Sequence, residues 1–142
     1  MHARVTRAAR SLTELYSCQH RIGGSPEAYA GTAASAEIAE GIGAVVLEMR
    51  NDSPNAKILL LAIFPRGLPG DSVRDKIAEV NHIIAGLDDQ RHVFYLDIGA
   101  KFLDENRYFL RDAFRGDNLH PQAKGYDIWG AAVKDKLAEL MK

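Results

Sequence analysis

An aspartate and a histidine stand three residues apart in Asp117-Asn118-Leu119-His120-Pro121, ahead of Gly125-Tyr126 and a final helical pattern. On a loop that enters a helix, this spacing can turn both side chains toward one site. The carboxylate then accepts a hydrogen bond from one imidazole nitrogen, and the other nitrogen faces a nucleophile. These are the acid–base members of a hydrolytic triad, with His120 as the general base and Asp117 orienting it. The same residues also have a purely structural use. Asp and Asn are favoured at helix starts, so Asp117 or Asn118 can instead satisfy helix amides, with His120 merely beside Pro121. Spacing by itself leaves both open.

The elements that must position this pair follow from the hydrophobic pattern. Ser35 can cap a helix through Arg50, with Glu37 in its first turn and Ile38, Ile42, Val45, Val46 and Met49 as its inward stripe. Lys57–Phe64 is a near-continuous apolar run, as in a parallel strand covered on both faces. Pro65–Gly70 is a loop at its carboxyl end. Ser72–Leu87 reads as a second helix with Val73, Ile77, Val80 and Ile84 inward, and Arg91–Asp97 as a second strand. A short helical turn fits Ala100–Leu103. Pro121 suits a first helical position, and the helix to Lys142 would bury Tyr126, Trp129, Val133, Leu137 and Leu140. Alternating helices and strands imply parallel strands joined by right-handed crossovers. Ligands of such sheets sit beyond the carboxyl ends of the strands, here the loops after Phe64 and Asp97 and the loop before Pro121.

Composition bounds the rest. The chain has 142 residues, 46% hydrophobic and 26% charged, with net charge −1. That is one domain with a real core and no basic excess for nucleic acid. No apolar run approaches the roughly 18 residues of a membrane span. Cys18 is the only cysteine, which points to a reducing cytoplasm. Residues 1–30 differ in composition from the rest of the chain. Arg4, Arg7, Arg10 and Arg21 face only Glu14 and Glu27, there is no lysine, and no clean strand is visible. His20, His82 and His92 lack metal-ligand spacing, and no phosphate-cradling glycine motif occurs, so neither metal nor cofactor is expected. Arg66 can bind a substrate anion or carbonyl, or pair with an acidic neighbour. Asp97 can face a site or cap the turn after its strand.

Over about residues 31–142 the chain resembles the SGNH (GDSL-type) hydrolases, in the branch of the platelet-activating-factor acetylhydrolase catalytic subunits. The resemblance rests on Gly31-Thr32, Ala39-Glu40-Gly41-Ile42, the segment from Ala56 through Phe64-Pro65-Arg66-Gly67, Glu79-Val80-Asn81, Tyr95-Leu96-Asp97-Ile98-Gly99, and Asp117-Asn118-Leu119-His120-Pro121 with Gly125-Tyr126 and Trp129. It implies a flavodoxin-like three-layer α/β/α sandwich with a parallel sheet. It also implies serine-esterase ancestry, short acyl esters as substrates, and Asp117 and His120 as the family's last motif block. Gly31 and Thr32 would lie at the oxyanion, with Arg66 toward substrate.

The departures from that family are as informative. Its first strand ends in Gly-Asp-Ser, whose serine is the nucleophile, and no such block precedes residue 31. Gly70-Asp71-Ser72 has those letters but reads as the start of the second helix. Ile22-Gly23-Gly24 resembles the second block, yet lies too close to Gly31 for the helix and strand that normally intervene. The third block reads Gly31-Thr32-Ala33-Ala34, without the asparagine that holds the oxyanion, and one such donor is worth about 10²–10³ in rate. The first strands are therefore expected to be missing or replaced, as by a truncated or out-of-frame gene start, leaving an atypical segment 1–30 before a domain 31–142. A sheet without its first strands needs a partner, which predicts a homodimer or larger homo-oligomer. Ser17, Ser25 and Ser35 are the candidate nucleophiles, and sequence does not choose among them. Two functions remain: an esterase, or a non-catalytic remnant or assembly subunit of the same fold.

Overall fold

The computed structural model describes residues 35–142. Its elements are α1 (Ser35–Asp52), β1 (Ile58–Leu61), α2 (Ser72–Ala85), β2 (Val93–Leu96), a 3-10 turn (Gly99–Phe102) and α3 (Ala123–Leu140). The strands run parallel, with Ile58 opposite Val93 and Leu61 opposite Leu96. Alternation along each strand splits the core into two layers. Ile58, Leu60 and Val93 pack with Ala39 and Val46 of α1 and Val80 and Ile84 of α2. Leu59 and Phe94 pack on the other face with Ile98, Phe102, Ala113, Phe114 and Val133 of α3. The result is the flavodoxin-like α/β/α sandwich, and it explains why β1 is apolar at every position. Burying each such aliphatic side chain contributes about 1.5–3 kcal/mol.

Both strands are shorter than the apolar runs that encode them, because the sheet ends where side chains take over the backbone's hydrogen bonds. Beyond β1, Asn81 of α2 acts as a surrogate strand. Its Nδ2 donates to Ile63 O at 2.9 Å and its Oδ1 accepts from Ile63 N at 2.8 Å. This double bond aims the chain into the Pro65-Arg66-Gly67 loop. Asn81→Ala should lower the unfolding free energy by about 2 kcal/mol in urea titration, since it leaves a half-buried amide and carbonyl unpaired.

The last helix differs most from its sequence pattern. Pro121 is not its first residue. Pro121 instead forms an isolated antiparallel bridge with Phe114, and Gln122 N donates to Ala113 O at 2.9 Å, so the extended Gln122 is the N-cap and α3 starts at Ala123. The buried face is also rotated from the expected one. Gly125 and Val133 are buried and Ile128, Trp129, Ala132 and Leu140 pack beside them, whereas Tyr126 and Leu137 are exposed. Gly125 draws the helix so close to Ala113 that the neighbouring position turns outward. Near the other end Lys136 takes the inward side, its ammonium 5.3 Å above the Phe94 ring, a long stem covering apolar surface.

No helix among the described residues is long and apolar enough to cross a membrane.

Candidate active site

The loop that carries Asp117 and His120 is closed like a short hairpin. The Phe114–Pro121 bridge is flanked by Gln122 N to Ala113 O at 2.9 Å and Arg115 N to His120 O at 2.9 Å. Gln122 Nε2 adds a bond to Phe114 O at 2.7 Å. Between these ties the chain reverses through a turn in which Asn118 N donates to Arg115 O at 2.9 Å and Asn118 itself has φ 51°. Asparagine tolerates this left-handed conformation better than most residues. Beneath the loop lies an aromatic platform. Phe114 meets Phe102 edge-on at 5.2 Å and Phe109 at 4.6 Å, and Phe64, in the segment that follows β1, meets Phe102 at 4.8 Å and Trp129 at 5.0 Å. The sheet, the 3-10 turn and α3 thus converge under one loop.

Asp117 fixes the loop from within. Its Oδ1 accepts from Leu119 N at 2.9 Å and from His120 N at 3.0 Å, while its Oδ2 lies 2.7 Å from His120 Nδ1. The amide of His120, the imidazole and the amide of Leu119, in that order, hold the Asp117 carboxyl well below the usual carboxylate range. An ionised carboxylate only accepts, so Nδ1 carries a proton, and in the neutral ring this tautomer leaves the lone pair on Nε2. Both side chains are 44% exposed, so the base is open to a small substrate. The helix-capping alternative does not describe the geometry, because Asp117 satisfies amides of its own loop and lies ahead of the Gln122 cap.

Of the other residues singled out by the sequence, Arg66 lies on the loop after β1, half-buried. Ser35 opens α1, is buried, and donates its hydroxyl to the Glu79 carboxylate on α2. Ser17, Ser25, Gly31 and Thr32 lie outside the described residues. Asp97 caps the turn after β2, its Oδ1 accepting from Gly99 N at 2.8 Å, and also borders a groove of about 540 Å³ along α2 that neither Asp117 nor His120 lines. In Gly70-Asp71-Ser72, Asp71 stands at the N-cap position of α2 and Ser72 begins the helix, while Asp71 Oδ2 accepts from Leu68 N at 2.7 Å.

Sequence reasoning missed Arg74. It is 6% exposed, in the first turn of α2. Its guanidinium donates to Gly67 O at 2.8 Å and Arg107 O at 2.7 Å and stacks 5.5 Å above the Phe109 ring. It thereby ties the loop after β1 to the segment that supports Phe109 and Phe114. Its position beside the Val73, Ile77, Val80 and Ile84 stripe carries no spacing signal, because its partners are backbone carbonyls of other segments. Arg74→Ala is expected to cost about 2–4 kcal/mol by thermal or urea unfolding, because it removes two charged hydrogen bonds and the stacked stem together.

Comparison with known proteins gives a consistent result. The model of the GDSL-like lipase/acylhydrolase family matches residues 21–128, starting ahead of the boundary placed at residue 31. The chain is 38% identical over 92 residues to platelet-activating factor acetylhydrolase IB subunit alpha2 of Gallus gallus, covering 63% of this chain and 39% of that protein. It is 41% identical over 51 residues to the IB subunit beta homolog of Drosophila melanogaster, covering 36% of this chain and 23% of the relative. The chain therefore spans less than half the length of the curated relatives it matches. Among solved structures, a candidate platelet activating factor from Streptococcus pneumonia superposes with TM-score 0.63 at 21% identity, over 74% of this chain and 52% of that one. That likeness speaks to the fold.

Proposed function

Because the chain belongs to the GDSL-like lipase/acylhydrolase family, we propose that it hydrolyses short acyl esters with Asp117 and His120 as its acid–base pair. The observation that carries this is the 2.7 Å contact between His120 Nδ1 and Asp117 Oδ2 on a loop otherwise locked by backbone bonds. In this reading a serine Oγ attacks the ester carbonyl as its proton passes to His120 Nε2. The resulting imidazolium, stabilised by Asp117, returns that proton to the leaving alkoxide. Water then attacks the acyl-enzyme, using the same base, and releases the acid and free serine. The nucleophile is drawn from Ser17, Ser25 and Ser35. The hydroxyl of Ser35 already serves Glu79, so its use would require that bond to open. Backbone amides at Gly31 and Thr32 assist the oxyanion, and Arg66 faces substrate. The names of the relatives favour an acetyl group as the acyl portion.

The same reading makes residues 31–142 the hydrolase-like domain, the chain a homodimer or larger homo-oligomer, and the lone Cys18 the mark of a reducing cytoplasm. A second reading is favoured by the absence of the Gly-Asp-Ser block and of the third block's asparagine. In it the chain is a non-catalytic remnant or assembly subunit that kept the acid–base loop. Hydrolysis of p-nitrophenyl acetate, butyrate and octanoate by the purified protein separates the two. The esterase reading expects turnover above the buffer rate that is fastest for acetate. Rates equal to buffer with all three esters support the remnant.

A further inference from the structure

One buried guanidinium joins the loop that follows Arg66 to the platform beneath His120. Arg74 Nη2 donates to Gly67 O at 2.8 Å and its Nη1 donates to Arg107 O at 2.7 Å. Both acceptor residues have left-handed backbone, Gly67 at φ 73° and Arg107 at φ 67°. Glycine takes that conformation freely, whereas arginine holds it only where surrounding contacts impose it. Arg74 Cζ also lies 5.5 Å from the centre of the Phe109 ring, which meets the Phe114 ring at 4.6 Å. Phe114 bridges Pro121, and Arg115 N donates to His120 O at 2.9 Å. Two rings and one strand-like pairing therefore lead from Arg74 to the backbone of His120.

Stability alone gives little reason for a cation at this place. Among the described residues no carboxylate lies within ion-pair distance of Arg74, and its buried Nε has no acceptor. Burial, and then the charge of Arg107, pull its pKa down, with Asp71 pulling the other way. An apolar side chain of similar length would avoid both the uncompensated charge and the orphaned donor. What an apolar chain lacks is a planar fork that reaches two carbonyls at once.

We propose that Arg74 is a positioning residue for the acid–base pair: by fixing the Gly67 loop and the Phe109–Phe114 platform against each other, it sets where His120 stands relative to Arg66 and the ester. This rests on the esterase reading above and deepens it. Arg74 acts through the platform and not on the reacting atoms. Misplacing a reacting group by about 1 Å costs about 10²-fold in rate, so a brace of this kind carries catalytic weight at a distance from the ester.

The test compares Arg74→Met, which keeps a long stem over Phe109 and loses the fork, with Arg74→Lys, which keeps the charge and reaches one carbonyl. Each is measured beside the unmodified chain, well below its melting temperature, by p-nitrophenyl acetate hydrolysis and by the NMR shifts of the His120 ring nitrogens. Arg74→Met should lower kcat by about 10²-fold with KM little changed, and Arg74→Lys should lower it less. In both, the His120 shifts should move from the Nδ1-protonated tautomer toward a mixture. Arg74→Ala should regain part of its rate when guanidinium is added at a non-denaturing concentration, since Arg74 lines the groove of about 540 Å³ along α2 and the ion can enter there. A merely structural arginine would lower the melting temperature and leave kcat per folded molecule and the His120 shifts unchanged, and that result overturns the proposal. Where Arg74→Met does not fold, Arg74→Lys decides by the same two readouts. An unmodified chain without turnover overturns the esterase reading, and the His120 shifts then decide alone: moved shifts support the brace and unmoved shifts overturn it.

Discussion

Replacing His120 with alanine is expected to slow p-nitrophenyl acetate hydrolysis by about 10²–10⁴-fold while moving the unfolding free energy by less than about 1 kcal/mol. The first figure is what a positioned general base contributes. The second follows from exposure, since the ring and its carboxylate partner are each 44% exposed and such pairs contribute little to stability. Asp117→Asn should separate orientation from loop structure. An asparagine oxygen still accepts from the amides of Leu119 and His120, so the melting temperature should change little. Its NH₂ group presented to Nδ1 would force the other tautomer, and the rate should fall by a similar factor. Asp117→Ala removes the amide acceptor as well, and should lower both rate and stability.

The pH dependence has a definite sign. The Asp117 carboxyl is held below its ordinary range by the His120 amide and imidazole and the Leu119 amide. Whatever stability these bonds contribute is fully present above the ordinary carboxylate pKa of about 4. It is lost only as pH falls through the depressed folded value. Between pH 4 and 8, Asp117 stays ionised in the folded chain. Profiles of kcat/KM should therefore show no break attributable to Asp117 in that window, whereas Asp117→Asn should leave the acid side of the stability curve flatter.

The second large effect is Gly125→Ala. A Cβ built at Gly125 would sit 2.2 Å from Ala113 O and 3.2 Å from Ala113 C and Pro121 Cβ. The nearest atom is backbone, so no side chain can swing away. The start of α3 would have to retreat from the strand-like segment that carries Phe114. Overpacking of this kind costs about 1–3 kcal/mol, against a helix-propensity gain of about 1 kcal/mol for alanine over glycine. Ala113 O is also the acceptor for Gln122 N, one of the ties closing the Asp117–His120 loop. Gly125→Ala should therefore reduce activity although both members of the pair are intact. Gly130→Ala, in the same helix with nothing near its added Cβ, should raise stability by about 0.5–1 kcal/mol and leave activity unchanged. The opposite signs of two identical substitutions in one helix would isolate the close approach at Ala113.

What the sequence made legible was whatever periodicity encodes. Uniform apolarity over Ile58–Leu61 matched burial on both faces, and the stripes of α1 and α2 matched the core at Ile38, Ile42, Val46, Met49, Val80 and Ile84, whereas Val45, Val73 and Ile77 lie outside the two core clusters. The pairing of Asp117 with His120 was readable from a three-residue spacing plus the motif around it. What stayed hidden was set by contacts distant in sequence. Pro121 looked like a helix start because proline tolerates that position, but its bridge to Phe114 and the Gln122–Ala113 bond hold it in an extended loop. Tyr126 looked inward because aromatic residues favour cores, but the buried face is set by the glycine that allows the closest approach. Arg74 was hidden because its two acceptors are backbone carbonyls, one of them on a segment that periodicity could not place.

The central claim is that the Asp117–His120 pair serves an activated serine. The measurement that bears on it most directly is labelling of the 142-residue chain with a fluorophosphonate probe, with the modified residue located by mass spectrometry, alongside His120→Ala. The account predicts one labelled serine and loss of that label in the His120 variant. Absence of label from the unmodified chain, or label that persists without His120, would contradict it and leave the pair as a structural element of the loop.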